Sequence, residues 1–217
     1  HKEYTHMCDT HNHTEEKKTD YASFDTAAEF HGHICPGLSS GYRVAIAAMN
    51  ALGVSRPKDE ELVAIAETNA CGVDAIQVVT GCTAGKGNLI IHDYGKHVFS
   101  FYCRRSDRAV RVTTCLEDFM PRRSEMDELR PKVFSGKATQ EERDRFYAMM
   151  KETSEAILAA PQEKVVRIEE VSMKPPEKAR IFQSIPCECC GEMVADAKMQ
   201  DHNGKKICMP CFLAQTS

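Results

Sequence analysis

The sequence predicts an α+β protein in which helices pack on an antiparallel sheet, followed by a small metal-bound module near the C-terminal end. Three observations predict it. Residues 36–52, PGLSSGYRVAIAAMNAL, are apolar on nearly every helical face, and residues 139–160 place apolar side chains at helical spacing, so both read as core helices. Residues 88–91, 96–104 and 109–113 are short β-rich runs separated by turns at Asp93-Tyr94-Gly95 and Ser106-Asp107, the pattern of an antiparallel meander. Cys187-x2-Cys190 and Cys208-x2-Cys211 lie seventeen residues apart, as two thiolate knuckles around one tetrahedral Zn²⁺ do.

Residues 1–23 are polar and read as a tail; His6, Cys8, His11 and His13 have the side chains for a metal clip, and docking on the body would order the segment equally well. In the first core helix, Pro36 lacks an N–H and has a fixed φ, so it suits the first helical position and makes Cys35 the N-cap; Gly53 ends the helix. Gly37 and Gly41 leave one side of this helix thin, which suits close backbone packing at least as well as the approach of a ligand. Residues 60–67 fit a strand or a short helix, and residues 72–80 read as a helix that begins just after Cys71. Thr139 and Glu142 form a capping box for the long helix, whose methionines suit a core or a dimer seam. Residues 165–171 read as a last strand, and Lys174-Pro175-Pro176-Glu177 breaks regular structure. The resulting organisation is a tail over 1–23, a core domain over 24–172, a linker over 173–180 and the metal module over 181–217.

With 217 residues, 42% hydrophobic and 28% charged, the chain can bury one sizeable core plus a small module. No run approaches the roughly 20 apolar residues that span a bilayer, and the first 23 residues show no signal-peptide core, so a cytoplasmic protein with no membrane partner is expected. Eleven cysteines, an odd count that includes C-x-x-C pairs, read as metal ligands and reactive thiols, not a disulfide framework. A net charge of −4 argues against a nucleic-acid partner. The C-terminal module argues the same way, setting Lys198, Lys205 and Lys206 against Glu188, Glu192, Asp196 and Asp201, which leaves no basic face for phosphates.

His31-Gly-His33-Ile-Cys35-Pro36-Gly37 gathers two imidazoles and a thiol directly before a helix. Burying such groups is costly unless something binds them, and a thiol at the positive end of a helix is expected to ionise near neutral pH. The plainer reading is a buried cysteine beside two surface histidines. His31, His33, Cys35, Cys71 and Cys82 are the candidate ligands, with His33, Cys35 and Cys71 first and His31 or Cys82 as a fourth ligand or supporting group. Imidazole with thiolate suits zinc, and also iron or nickel. Asp74, three residues past Cys71, is placed to orient a histidine ligand. Residues 83–88, TAGKGN, do not make a phosphate loop of the Walker type, because the glycine spacing is one residue short and no Ser or Thr follows the lysine. Lys86 remains a candidate for holding an anionic group, and with Cys35 it is the candidate catalytic residue if the site is an enzyme's. Cys103 and Cys115 read as inert core thiols, His92 and His97 as surface residues, Cys189 as a spare thiol and His202 as a substitute ligand.

H-G-H-x-C-P-G at 31–37, A-C-G-V-D-A at 70–75, T-G-C-T-x-G-K-G-N at 80–88 and D-Y-G-K at 93–96 occur in an order that resembles the FmdE family, named for the FmdE component of formylmethanofuran dehydrogenase. The resemblance covers about residues 24–172. It implies an α+β core that forms a homodimer and builds a metal site from these histidine and cysteine motifs, in a protein related to methanogenesis-type one-carbon or redox metabolism. The last 30 residues or so resemble the treble-clef fingers of DksA/TraR-like proteins, which implies a structural zinc. The second reading is an accessory or regulatory protein that senses metal or redox state and contacts a protein partner through its finger.

Overall fold

The computed structural model of the protein describes residues 21–178 and 180–216. The expected clip residues His6, Cys8, His11 and His13 lie outside them. The chain divides into two compact units, with the boundary between Pro176 and Glu177.

The larger unit is the α+β domain. Helix α1 (Phe24–His31) begins where Ser23 accepts the Thr26 N–H and ends at Gly32, whose φ of 90° turns the chain out of the helix. Helix α2 (Pro36–Leu52) follows after the four residues 32–35. The Cys35 thiol caps it by accepting the Leu38 N–H at 3.3 Å, with Pro36 in the first position. Most of α2 is buried, as its apolar circumference requires: it packs on helix α3 (Gly72–Thr80), helix α5 (Gln140–Ala159) and strand β4 (Arg108–Thr114).

Residues 60–67 resolve as strand β1 (Leu62–Ala66), and its place in the sheet corrects the expected meander. The order is β2-β1-β3-β4-β5, with β2 (Leu89–Ile91), β3 (Val98–Cys103) and β5 (Val166–Val171) completing it. All neighbours are antiparallel except β1 and β2, which are parallel with Ala64 opposite Leu89. The Asp93-Tyr94-Gly95 turn is therefore no hairpin between adjacent strands. It crosses the end of β1, where the N–H groups of Tyr94 and Lys96 both donate to the Glu67 carbonyl at 3.1 and 3.0 Å. The cause is burial. Leu62, Ala64 and Ala66 join the main core while Val63 meets Tyr102 and Ala109 on the other face, so this apolar strand takes an interior position and α3 supplies the crossover that a parallel neighbour needs.

Helix α5 opens on the Thr139–Glu142 capping box and turns Phe146 and Met149 onto helix α4 (Arg123–Phe134), an element the sequence pattern does not reveal because it is polar overall and contains Pro131. Its methionine stripe is core. The Arg43 guanidinium, from α2, holds the other end of α5 by donating to the carbonyls of Ile157, Leu158 and Ala160 at 2.7–2.9 Å. The one-turn helix α6 (Gln162–Val165) then leads into β5.

The smaller unit has two hairpins and a helix. Strands β6 (Ser184–Pro186) and β7 (Met193–Ala195) pair around the first cysteine knuckle, and β8 (Gln200–His202) and β9 (Lys205–Ile207) around Asn203-Gly204. Both turn residues have positive φ, the two-residue turn that asparagine and glycine favour. Helix α7 (Met209–Thr216) ends the described chain.

Candidate metal centres

Three elements deliver one side chain each to the first centre. His31 comes from the last turn of α1, Cys35 caps α2, and Cys71 stands immediately before α3. Their ligand atoms lie within 4.8 Å of one another, with His31 Nε2 3.9 Å from Cys35 Sγ. The two thiols converge because α2 and α3 touch backbone to backbone. A Cβ on Gly41 would lie 2.4 Å from the Gly72 Cα, and one on Gly37 3.2 Å from the Cys71 Cβ. The thin side of α2 thus serves helix packing.

Asp74, on the first turn of α3, accepts a hydrogen bond from His31 Nδ1 at 2.7 Å, and Gln77 Nε2 donates to the other carboxylate oxygen at 3.4 Å. An ionised carboxylate only accepts, so Nδ1 carries the proton of this bond, which leaves Nε2, the nitrogen facing Cys35, as the one that a metal can take. A carboxylate behind a histidine is the usual support of a metal-bound imidazole.

Burial, reinforced by the neighbouring Cys71, pushes the Cys35 thiol up to about 11, against the pull of the Leu38 and Gly37 N–H groups. This corrects the expectation of a thiolate near neutral pH: without metal, loss of water outweighs the helix end. A metal entering here must displace the Cys35 proton. Each ligand thiol that still holds its proton adds about tenfold per pH unit, so with Cys35 and Cys71 both binding the core affinity is expected to rise by up to about a hundredfold per unit and to flatten once both thiols are ionised. Competition against a chelator, corrected for the chelator's own protonation, checks this. Affinity independent of pH would count against Cys35 as a ligand.

The other sequence candidates fall elsewhere. His33 lies past the end of α1, exposed, its ring 4.4 Å from that of His31. Cys82 is buried beyond the far end of α3, and its thiol donates to the Leu62 carbonyl at 3.3 Å. The nine residues of α3 span about 13 Å, so Cys71 and Cys82 stand at opposite ends of one helix. Lys86 belongs to the Cys82 end, half-buried in a turn where Thr83 Oγ1 accepts its N–H. That placement removes Lys86 from the chemistry of the Cys35 centre. Sequence reasoning placed Asp74 but ranked His33 above His31. The missed signal is the Ser23 cap and the glycine after His31, which mark α1.

The second centre gathers Cys187, Cys190, Cys208 and Cys211, again with ligand atoms within 4.8 Å. Gly191, at φ +78°, turns the first knuckle, and the start of α7 sets Cys208 and Cys211 three residues apart around its first turn. Backbone N–H groups of Cys190, Cys208 and Cys189 aim at the Cys187 sulfur and lower its pKa to about 6, while hydrogen bonding with Cys208 holds Cys211 well above the ordinary thiol range. Four thiols with one already poised as thiolate fit a closed tetrahedral zinc site. Cys189 and His202 stay outside the group. Gln215 donates to the Cys189 sulfur at 3.4 Å, and His202 packs edge-on to Phe212.

Among the described residues no helix is long and apolar enough to cross a membrane. A curated relative from Archaeoglobus fulgidus, described as a probable S-adenosyl-L-methionine-binding protein, is 36% identical over 191 residues, 85% of this chain. The chain spans about half the length of that relative, 51%. The solved structure of a tungsten formylmethanofuran dehydrogenase FmdE-like protein from Syntrophus aciditrophicus superposes with a TM-score of 0.58, covering 90% of this chain and 95% of that one. At 24% identity this likeness speaks to the fold alone. The family model described as FmdE, molybdenum formylmethanofuran dehydrogenase operon, matches residues 30–167, from the residue before His31 through both thiols of the core centre and into β5, and the chain belongs to the FmdE family.

Proposed function

We propose that the chain is a metal-binding protein of one-carbon metabolism whose core centre holds zinc, or another transition metal, through His31 Nε2, Cys35 Sγ and Cys71 Sγ, and whose finger holds a structural zinc. The observation that carries this reading is the Asp74 carboxylate 2.7 Å behind His31, which fixes the imidazole with its free nitrogen toward the thiols. Three protein ligands leave a position for a small ligand, and a metal there supplies a Lewis-acid contact to it. This chain's own groups orient and shield: Asp74 sets the histidine tautomer, and burial of Cys35 keeps water from the thiol side. Support for one-carbon chemistry comes from the family and from the Archaeoglobus relative, since formylmethanofuran carries a formyl group and S-adenosyl-L-methionine a methyl group.

Metal content of natively purified full chain tests the reading. Two equivalents are expected, falling to one in His31→Ala and in Cys35→Ser, with Asp74→Asn weakening the core centre by about 10- to 100-fold. Unchanged stoichiometry in both ligand variants would overturn it. Calorimetry with S-adenosyl-L-methionine and with formyl carriers then asks which molecule the loaded protein takes.

One observation favours a second role beside this one. The finger exposes Ile181, Met193 and Met209, apolar side chains suited to a protein partner and not to nucleic acid.

A further inference from the structure

A cleft of about 470 Å³, which the chemistry above does not use, opens where the C-terminal end of α2 and the segment leading into β1 meet the β3–β4 turn. Cys35 caps one end of α2 and the cleft lies at the other, about 25 Å away along a helix of seventeen residues. Its volume is that of a small-molecule site.

The cleft's charge is lopsided. Arg56, Lys58 and Arg105 line it with a single carboxylate, Glu61, and Glu61 already accepts the Asp59 N–H at 3.0 Å. None of these three cations forms an ion pair among the described residues, whereas Arg108, Arg111 and Arg122 are each matched with a glutamate. Arg56 also lies against the end of α3. A Cβ on Gly81, the C-cap of α3, would come 3.1 Å from Arg56 Nε, so the Arg56 side chain runs close over this glycine. Beneath the cations, Leu52 and Leu62 give an apolar floor.

We propose that this cleft binds a small phosphate monoester, the phosphate between Arg56 and Arg105 with Lys58 beside them and the organic body on Leu52 and Leu62. Three cations against one carboxylate leave a net charge of about two, which matches a phosphate monoester at neutral pH and exceeds a carboxylate. Guanidinium groups favour this ligand further, since their planar fork meets two phosphate oxygens at once.

Isothermal titration of the full chain with phenyl phosphate as probe tests the site. One equivalent is expected to bind, with benzoate and inorganic phosphate each weaker by about tenfold or more, and with Arg56→Gln and Arg105→Gln each costing at least about tenfold. Should either glutamine variant fail to fold, Lys58→Glu is expected to produce the same loss, since it inverts a charge at the rim. Cys35→Ser is expected to bind the probe as the parent does, which separates this cleft from any phosphate taken by the core metal. Binding that survives the cleft substitutions, or that disappears with Cys35→Ser, overturns the proposal. Inorganic phosphate binding as tightly as the probe overturns the role of the apolar floor.

Discussion

Gly41→Ala is expected to lower the melting temperature of the core domain by about 10 °C and to strip the core centre of metal while the finger keeps its own. The added Cβ would sit 2.4 Å from both the Cα and the carbonyl oxygen of Gly72 and 2.7 Å from its carbonyl carbon. Those atoms are backbone, so no rotamer change relieves the clash. Helix α3 must move away from α2, at a cost of about 3 kcal/mol if core overpacking is the guide. The displacement carries Cys71 away from Cys35, and the histidine support goes with it, because Asp74 rides on the same turn of α3. Gly85→Ala is the control, since a Cβ there meets nothing within 4 Å. Thermal unfolding and metal analysis of the two variants decide the matter. A Gly41→Ala protein with parental melting and metal content would show that the helix contact does not build the site.

Cys208→Ser is expected to unfold the finger and leave the larger unit intact. The finger's buried centre is Cys187, Ile207 and Cys208, with Val194, Met199 and Phe212 packed against it, far too little apolar surface to offset the ordering of some 40 residues. Metal binding must contribute most of the folding free energy, on the order of 10 kcal/mol in comparable fingers. Cys208 is also buried, so the serine hydroxyl replaces a ligand with a poor one. Hydrogen exchange read separately for residues 181–216 and 36–171 gives the test. Chelation of the parent is expected to mimic the substitution in the first segment. Retained protection there would mean the thiols are not what folds the finger.

Much of this architecture is written locally. A proline after a cysteine, a capping box and paired C-x-x-C knuckles act over a few residues, and α2, α5 and the finger's cysteine group follow from them directly. The order of the strands is not local. Whether β1 lies at an edge or inside depends on what covers its two faces, and both covers, α2 with α3 on one side and Tyr102 with Ala109 on the other, belong to other elements and are not written in the strand's own residues. The core centre divides in the same way. Its motifs are legible as residue types, but the choice of His31 over His33 depends on where α1 ends, and α1 buries only Ala27, so its apolar pattern is faint. Helix α4 is hidden for a like reason, its apolar face being only Met126, Leu129 and Val133 on an otherwise charged surface. Cys82 and Lys86 match motif positions, yet the length of α3 puts them at the wrong end.

The His31–Asp74 hydrogen bond joins α1 to α3, and α1 depends on its neighbours because its eight residues are too few to be helical alone: Ala27 shares a buried cluster with Leu38 and Ala75, Phe24 and Ala28 pack alongside, and Phe24 stands edge-on to Tyr42. The residence time of a metal held by His31, Cys35 and Cys71 would accordingly depend on how often this helix opens. An opening of α1 would leave an ion held by these side chains two protein ligands in place of three, so its escape would follow the local opening of one short helix and not the unfolding of the domain. In such a centre the thiols would set the affinity and the short helix the rate of exchange.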